Sequence, residues 1–590
     1  MAFIRELRRR KVFQATGLYI VAAWVAVQVA SLVFPALGID ESALLYVWLI
    51  VGALLPLVVL FSWSYDVSLD GISRTPPAVP GEHFDPSLRK TDIAIIVALG
   101  AVGIAVTLQL AGRIEAAPEQ FDASIDPFSI AILPFDDMSG NADEQFFVSG
   151  MQSAVIDGLS RVRNLRVTAK VSTLPYRESG GALGEIAEQL KVARILEGTV
   201  FRSDGRVRIA LRLHDAKLDE QVWAETFEDE LENVLLLQAR VAQDIANQVR
   251  VQLGPDERAQ FAAARPVDPE AYLAFLRGVF HVERFNPDDM RIAATHFQRA
   301  VDIDPESALG YWGLGKLCAF QAQAGMLSPA EAKTQCFPPV YRALELDPLL
   351  PEAHMGLAAM TTWQSFDWES ARPHWERALE LNPSYAEAHM FYSHYLGIVG
   401  ELEKSTYHIE QAVALDPLNP FVVGLHSIQL VMRDEFEEAI AVAEQSLQMA
   451  PGAAFGYITL TLANDTLDNE QAAIAAHADF FRFIGGQPQA ADLLESVYAE
   501  QGYAAANLAL GEQLAAVAQS TYVKPMLIGS LYEAAGRHDT AIDWYVRAYE
   551  QGDPDAPYLG VNIKDPEVRG NPRFQELLVR MDLNYWADRP

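Results

Sequence analysis

Apolar and polar positions follow a repeating helical pattern through the carboxy-terminal half of the chain. Small residues at Ala378, Ala412 and Ser446 share one side of a 3.6-residue helix with bulkier ones, which predicts close helix-to-helix contact. Each pattern ends at a proline, which lacks an N–H group and terminates a helix. Five segments end this way: RAVDIDP (299–305), RALELDP (342–348), RALELNP (377–383), QAVALDP (411–417) and QSLQMAP (445–451).

The spacing of these prolines predicts a repeat architecture. Pro383, Pro417 and Pro451 are 34 residues apart, and a 34-residue unit with two helical patterns is typical of tetratricopeptide repeats. Because one helical hairpin cannot bury its own apolar face, at least about three hairpins must stack. We therefore predict an all-α solenoid over 266–554 and a carboxy-terminal cap over 555–590. An unrelated all-helical bundle is the alternative.

Three long runs near the amino terminus are apolar on every side of a helix. They cover 15–37, 43–63 and 93–111, and none contains a charged residue. The shortest has 19 residues, about 28 Å as a helix, which is enough to cross the hydrocarbon core of a bilayer. We therefore predict a membrane-anchored protein with three transmembrane helices within 15–112.

Clusters of basic residues lie on only one side of these runs. The residues are Arg5, Arg8, Arg9, Arg10 and Lys11 before the first run, and Arg74, Arg89 and Lys90 after the second. Because positive charge marks the cytoplasmic side, we expect a cytoplasmic amino terminus (1–14) and a cytoplasmic loop (64–91). Residues 113–590 would then lie outside the cytoplasm. In a bacterium with two membranes this predicts an inner-membrane protein with a periplasmic portion.

The segment before the repeats has a strand-like pattern. PFSIAILPF (127–135) is a short apolar run, and 195–216 alternates apolar and polar residues around an Asp-Gly pair, which predicts a β-hairpin. Residues 146–162 have helical spacing. We predict a small α/β domain over 127–232, followed by a linking helix over 233–265.

Three stretches of this domain resemble the amino-terminal domain of TolB and the related FlgO domain. They are SIAILPFDDMSGNADEQFFVSGMQSAVIDGLSRVRNLRV (129–167), ILEGTVFR (195–202) and VWAETFEDEL (222–231). The whole order, with the opening 5–24 and the phrase 61–75, is similar to a family of bacterial inner-membrane proteins that place a TolB-like domain before tetratricopeptide repeats. Relatives are often labelled adenylate cyclase or transcriptional regulator, because those output domains occur fused to the same half. We expect neither here, because the sequence leaves no room for one before the first apolar run.

The chain is acidic and shows no catalytic motif. With 45 basic and 78 acidic residues, its formal net charge is −33, which argues against nucleic-acid binding. It contains neither a phosphate-binding glycine loop nor an HExxH zinc motif. Asp136 and Asp137 fit a turn or helix cap better than a catalytic pair, and we expect His389 and His394 to be structural. We predict no enzyme activity, no metal site and no cofactor.

The first helix of each repeat is expected to line the inner face of the solenoid. Its positions hold apolar, aromatic and methionine side chains with a single lysine, which predicts a groove for an apolar or amphipathic peptide. The alternative is that these side chains pack against insertions or neighbouring helices. The predicted groove residues are Trp312, Lys316, Phe320, Met355, Trp363, Met390, His394, Ile398, Ile428, Val431 and Met432.

The chain has two cysteines, Cys318 and Cys336. They fall on the two helices of one predicted hairpin, at positions that commonly pack near each other. In an oxidising compartment a disulfide is reasonable, and two buried free thiols are the alternative.

Together these patterns predict a non-catalytic scaffold, anchored in the inner membrane, that binds proteins or amphipathic peptide segments of the cell envelope through its repeat groove. Membrane lipid would contact 15–112. A second hypothesis is a regulatory membrane subunit that passes a periplasmic signal to a cytoplasmic partner enzyme. A third is an enzyme of cyclase type. The partner and the oligomeric state stay open.

Overall fold

The computed structural model describes residues 43–68, 71–74, 125–140, 142–177, 182–251, 253–262, 264, 266–284, 287–323 and 326–588, with single positions between 12 and 27. The chain divides into two compact units, Met1–Gln120 and Phe121–Pro590. In the first unit, helix α1 (Ala43–Ser64) precedes an antiparallel hairpin of β1 (Tyr65–Ser68) and β2 (Gly71–Arg74).

The membrane prediction needs a correction. No helix within the described part of the chain combines the length and the apolar character that crossing a membrane requires. The second predicted run coincides with α1, which contains Pro56. The side chains of this helix are described without a break over 50–63, which is about 21 Å of helix. Run 15–37 is described only at single positions, and run 93–111 lies outside the described residues. On this finding, the predicted fold class with three spans is wrong, as is the inner-membrane and periplasmic location.

The second unit begins with a six-stranded mixed sheet. Its strands are β3 (Ser129–Ile132), β4 (Asp136–Asp137), β5 (Arg166–Val167), β6 (Arg194–Ser203), β7 (Arg206–Asp215) and β8 (Glu220–Glu230). The strand order is β5-β3-β6-β7-β8, with β4 also paired to β6. Strands β3, β4, β5 and β6 run parallel, whereas β6, β7 and β8 form antiparallel pairs.

Helices cover this sheet because its strands alternate. In β7, Val207 and Ile209 are buried while Arg206 and Arg208 are exposed, so one face is apolar. The turn between β6 and β7 has positive φ at Asp204, 52°, and at the following glycine, 76°, which suits the twist of a two-residue hairpin. The helices are α2 (Gln145–Ser160), α3 (Lys170–Thr173), α4 (Leu183–Leu190), α5 (Val234–Gln248) and α6 (Pro255–Ala262).

The rest of the unit is a tetratricopeptide-like solenoid of helical hairpins. Small residues predicted at helix contacts, including Ala378, Ala412 and Ser446, are fully buried, and each of the five helices ends two positions before its repeat proline. The hairpin helices are α7 (Pro269–Val282), α8 (Pro287–Ile303), α9 (Ala308–Gln323), α10 (Pro329–Gln335), α11 (Phe337–Leu346), α12 (Pro351–Met360), α13 (Trp368–Leu381), α14 (Ala386–Ile398), α15 (Leu402–Leu415), α16 (Pro420–Met432), α17 (Phe436–Met449), α18 (Ala454–Thr466), α19 (Glu470–Asp479), α20 (Pro488–Gln501), α21 (Tyr503–Val517), α22 (Pro525–Ala534) and α23 (His538–Gln551).

One hairpin of the solenoid carries an extra helix and a disulfide. Helix α10 starts at a capping box in which Ser328 and Glu331 bond each other's backbone N–H groups. Cys336 follows it directly and is bonded to Cys318 on α9, with the two Cα atoms 5.2 Å apart. The bridge therefore fastens the inserted helix to the hairpin.

The carboxy-terminal segment folds back on one edge of the repeats. Trp586 Nε1 donates to the Ile398 carbonyl at 2.8 Å, and Trp368 Nε1 donates to the Met581 carbonyl at 2.7 Å. These contacts lie at the last residue of α14 and at the first residue of α13. The segment contains α24 (Leu559–Asn562), α25 (Pro566–Arg569), α26 (Pro572–Arg580) and α27 (Asn584–Ala587).

The α/β domain covers the opposite edge, where the repeat prolines lie. Ala169 N–H donates to the Leu415 carbonyl at 2.8 Å, and Ser172 Oγ donates to Asp416 Oδ1 at 2.6 Å. One repeat earlier, Ser384 Oγ donates to the Leu165 carbonyl at 2.9 Å. The turns at the ends of these proline-terminated segments therefore also contact the α/β domain.

Candidate functional site

The inner helices of the solenoid line a cavity of about 2320 Å³. The first helices of successive hairpins, α7, α9, α12, α14, α16 and α18, form its wall. Helix α2 of the α/β domain closes one end with residues between Gly150 and Arg161, and residues between Lys524 and Pro566 contribute the far side. The cavity is thus bordered by the sheet domain, the repeats and the carboxy-terminal segment.

Eight of the eleven predicted groove residues lie at this wall, and three do not. Ile398, Val431 and Met432 are buried elsewhere. Ile398 and Met432 share one apolar cluster with Leu559 and Trp586, because the carboxy-terminal segment occupies that part of the inner face. The eight wall residues are Trp312, Lys316, Phe320, Met355, Trp363, Met390, His394 and Ile428.

An aromatic row runs along the cavity wall across four repeats. The ring of Phe391 meets that of Trp363 at 5.6 Å and that of Phe421 at 6.1 Å, and Phe421 meets Phe455 at 5.1 Å, all edge to face. Such pairs are favourable for aromatic quadrupoles. We call Trp363, Phe391, Phe421 and Phe455 the aromatic row. Only Trp363 was predicted from the sequence. Phe421 and Phe455 each follow a repeat proline by four residues, a signal that could have found them.

The cavity wall is strongly acidic. Fourteen Asp and Glu residues line it, against five Lys and Arg. His394 and His477 add no charge near neutral pH, because burial lowers the pKa of each to about 4. The imbalance follows the charge of the chain as a whole, and here it faces the cavity.

One group of charges sits where α2 meets the repeats. Arg161 Nη2 lies 3.5 Å from Glu352 Oε1. Arg161 caps the carboxyl end of α2, and Asp157 lies on α2 one turn before it. Burial, followed by the Glu352 charge, raises the pKa of Asp157 to about 7. The Asp157 side chain is nevertheless exposed to the cavity space. We call Asp157 and Glu352 the junction acids.

A second acidic group lies on the far wall. Burial raises the pKa of Glu533 to about 8, although the Tyr545 hydroxyl donates to its carboxylate. Asp465 accepts a hydrogen bond of 2.5 Å from the Tyr503 hydroxyl, and burial also raises its pKa. Asp465 and Asp565 both contribute repulsion at Glu533. The cavity therefore holds several carboxylates that lack a full complement of positive neighbours.

The predicted histidines have structural surroundings. His394 Nε2 donates to the Leu425 carbonyl at 3.0 Å, while its Nδ1 lies 3.1 Å from the Tyr558 hydroxyl. His389 Nε2 donates to the Pro383 carbonyl at 3.1 Å, and its Nδ1 lies 2.8 Å from Nδ1 of His408. Within the described ranges no set of three or more His, Cys, Asp or Glu side chains is arranged to hold a metal ion.

The paired aspartates form part of a turn. Asp136 and Asp137 make up β4, which pairs with β6. Asp137 accepts hydrogen bonds from the backbone N–H of Ser139 at 2.7 Å and from its hydroxyl at 2.9 Å. Its oxygens are thus occupied by local bonds of the kind that hold a turn.

The comparisons with known proteins each cover part of the chain. A family model described as HilA/YgeH-like transcriptional regulator, second domain, matches residues 126–244, the α/β region. A curated relative, "Putative adenylate cyclase 3" of Rhizobium meliloti (strain 1021), is 31% identical over 237 residues, 40% of each chain. The chain therefore spans less than half the length of that relative. The resemblance to TolB stays a prediction from the sequence.

Two solved repeat proteins are similar to parts of the chain. PilW, a type IV pilus biogenesis factor, is 14% identical, with a TM-score of 0.29, 36% of this chain covered and 93% of that one. A tetratricopeptide-repeat protein of Thermus thermophilus, TTC0263, is 18% identical, with a TM-score of 0.26, 31% of this chain covered and 92% of that one. We base no functional argument on likenesses this low. The class of protein is defined by the structure itself: a mostly helical, tetratricopeptide-like solenoid with a small sheet domain.

Proposed function

We propose that this protein is a non-catalytic interaction scaffold whose cavity binds a peptide segment of a partner protein. The observation that carries the proposal is the cavity itself. At about 2320 Å³ it exceeds the roughly 300–1,000 Å³ of ordinary small-molecule pockets. It also has an aromatic row spaced over several repeats, which suits an extended or helical ligand better than a compact one.

The aromatic row is exposed to solvent at Phe421, as a binding surface must be. Phe421 is 43% exposed although it packs edge to face against two other rings. Aromatic side chains supply much of the binding energy at protein interfaces, because they bury a large apolar area with few rotatable bonds. The aromatic row is therefore the apolar half of the proposed binding site.

The test is selection of ligands from a display library of random 12-residue peptides, with affinities measured afterwards by fluorescence anisotropy. Removing a ring from the row with Phe421→Ala should weaken the selected peptides by about tenfold or more. Tyr407→Ala is the matched control, since Tyr407 is 56% exposed on the outer helix α15 and does not line the cavity. Failure to select any peptide, or equal weakening by both variants, would refute the proposal.

The name of the curated relative gives a second candidate, adenylate cyclase activity. The sequence similarity is the observation that favours it, and it covers 40% of this chain. The purified protein can be tested directly by incubation with ATP and a divalent metal, followed by detection of cyclic AMP. Sustained turnover would replace the scaffold proposal, whereas the scaffold proposal predicts none above a blank.

A further inference from the structure

We infer that the segment bound in the cavity is cationic and amphipathic, with a lysine or arginine seated against the junction acids Asp157 and Glu352. This inference rests on the proposed function and adds the chemistry of the partner. Three independent observations support it: hydrogen-bonding groups without partners, the charge of the wall, and the position of the aromatic row.

The first observation is a set of buried polar atoms without partners. Six side-chain atoms of the cavity wall make no hydrogen bond within the described part of the chain, and five of these six are acceptor oxygens. Asn382 is only 2% exposed, so its Oδ1 is shut off from bulk water. The other four oxygens are Gln260 Oε1, Glu352 Oε2, Gln364 Oε1 and Asn562 Oδ1.

An excess of acceptors specifies the kind of group that would satisfy them. Buried polar atoms are almost always hydrogen-bonded in folded proteins, and a lone acceptor is costly. Ammonium and guanidinium groups carry three and five N–H donors and no acceptor. A lysine or arginine side chain therefore matches this wall, while a carboxylate or phosphate ligand would add acceptors where donors are missing.

The second observation is the charge of the wall. Acidic residues outnumber basic ones by fourteen to five, and the bases are already engaged. Lys316 lies over the Phe320 ring at 5.7 Å, and the other four bases each face a carboxylate. Those pairs are Arg161 with Glu352, Lys170 with Glu283, Lys524 with Asp555 and Lys564 with Asp434. The surplus is negative, and a cationic ligand complements it.

Among the acidic residues of the cavity wall, the junction acids are the most favourable seat for a basic group. Glu352 has one oxygen near Arg161 and one without a partner, while Asp157 repels Glu352. A cation placed between the two carboxylates would relieve that repulsion. The seat therefore consists of two carboxylates where α2 meets the repeats.

The third observation explains why the ligand should be amphipathic. The same cavity wall contains the aromatic row and the predicted apolar residues Met355 and Met390. A purely polar cation would leave these surfaces in contact with water. A polypeptide with apolar residues on one side and basic residues on the other would bury the aromatic row and pair with the acids at once.

The test uses three fluorescent peptides of about 14 residues, about 21 Å as helices. One contains leucine and lysine in an amphipathic helical pattern, and in the other two serine or glutamate replaces every lysine. Spermine serves as a competitor that is cationic but not apolar. At pH 8 we expect the lysine peptide to bind the full-length protein at least about tenfold more tightly than the serine peptide. Spermine should compete only weakly.

Two double variants with equal net charge separate the cavity from the acidic surface. Asp157→Asn with Glu352→Gln neutralises the junction acids, while Asp302→Asn with Glu444→Gln neutralises two exposed acids outside the cavity. The first should weaken the lysine peptide by about tenfold and the second by less than about twofold. Circular dichroism and thermal unfolding of both variants verify that each is folded.

Each other outcome has a definite meaning. Equal binding of the serine peptide, tighter binding of the glutamate peptide, or full competition by spermine would overturn the inference while leaving a peptide site possible. Equal weakening by the two double variants would also overturn it, because attraction to the general surface charge would then be responsible. If none of the three peptides binds, and the display library yields no ligand, the proposed function fails as well.

Discussion

The two edges of the repeat stack are covered in different ways. The edge at the repeat prolines meets the α/β domain through polar contacts, of which Ser172 with Asp416 is typical. The opposite edge meets the carboxy-terminal segment through large aromatic side chains such as Trp368 and Trp586. Because apolar burial contributes more free energy than exchanged hydrogen bonds, we expect the aromatic edge to stabilise the solenoid and the polar edge to orient the domain that closes the cavity.

The largest expected effect comes from the aromatic edge. Trp586 is 5% exposed, packs on Gly560 and donates to the Ile398 carbonyl. Trp586→Ala removes this packing, so the free energy of unfolding should fall by about 3–5 kcal/mol. Urea unfolding followed by circular dichroism measures the loss. Tyr407→Ala, an exposed aromatic on an outer helix, should cost less than about 0.5 kcal/mol; a similar cost for both variants would contradict the role of this edge.

The disulfide stabilises a single hairpin of the solenoid. The bridge between Cys318 and Cys336 closes a loop of 18 residues, so its removal should cost about 3 kcal/mol. The double variant Cys318→Ser with Cys336→Ser is compared with wild type in urea. Labelling of the unfolded wild type with a thiol reagent should increase on prior reduction. Equal labelling with and without reductant would show that the thiols are free.

Breaking a contact at the polar edge should lower the free energy of unfolding by less, and it should change hydrogen exchange in one domain more than in the other. Asp416 Oδ1 accepts from both the backbone N–H and the hydroxyl of Ser172, at 3.0 and 2.6 Å. Asp416→Ala leaves these donors unpaired, which should cost about 1–3 kcal/mol. Because the contact joins two domains, protection of α2 amides from hydrogen exchange should fall more than that of α14 amides. Asp302→Ala, on an exposed helix position, is the control; uniform loss of protection would argue against a domain contact.

The smallest effect concerns pH. The pKa of Asp157 is about 7 in the folded chain and has its ordinary value of 3.8 when unfolded. The folded state therefore binds more protons between these values, and the contribution of Asp157 to stability falls as pH rises from about 4 to about 7. Asp157→Asn should abolish that loss, so it should stabilise the protein at pH 8 by about 1 kcal/mol or less, since the side chain has access to cavity solvent. At pH 4 the two proteins should differ little.

Thermal unfolding of both proteins across this pH range checks the prediction. The nearby charges are those of Glu352, which raises the pKa of Asp157, and of Arg161, Lys170 and Lys316, which lower it. Glu352→Gln should therefore reduce the pH dependence in the same direction. An Asp157→Asn variant that is less stable than wild type at pH 8 would show that the carboxylate is well paired and would contradict the proposed seat.

The repeat units could be predicted because their signal is local. Helical periodicity and proline chemistry place Ala378 and Ala412 at buried contacts and Pro383 just beyond the end of α13. The hairpin at Asp204 was predictable for the same reason, since the turn residues determine it. The uniformly apolar runs predicted membrane spans, and that prediction was wrong. None of the described helices combines the length and the apolar character that the three predicted membrane spans require.

The candidate site was only partly predictable, because it is built by contacts between distant parts of the chain. Trp368 and Met581 are 213 residues apart, and no repeat pattern indicates that the carboxy-terminal segment would cover Ile398 and Met432. The approach of Asp157 to Glu352 likewise joins two domains. In contrast, Trp363 was found from the repeat spacing, although it lies in a π-helical segment, Thr361–Ser365, that follows α12.

The central claim is that a cationic, amphipathic segment binds inside the cavity. The most direct measurement places a photoreactive benzoylphenylalanine at Phe421 in one sample and at Tyr407 in another, and irradiates each with the leucine–lysine peptide. Phe421 lines the cavity, whereas Tyr407 lies on an outer helix. We predict a crosslinked product from position 421 and little from position 407. Equal yields at both positions, or a product only at 407, would contradict the account.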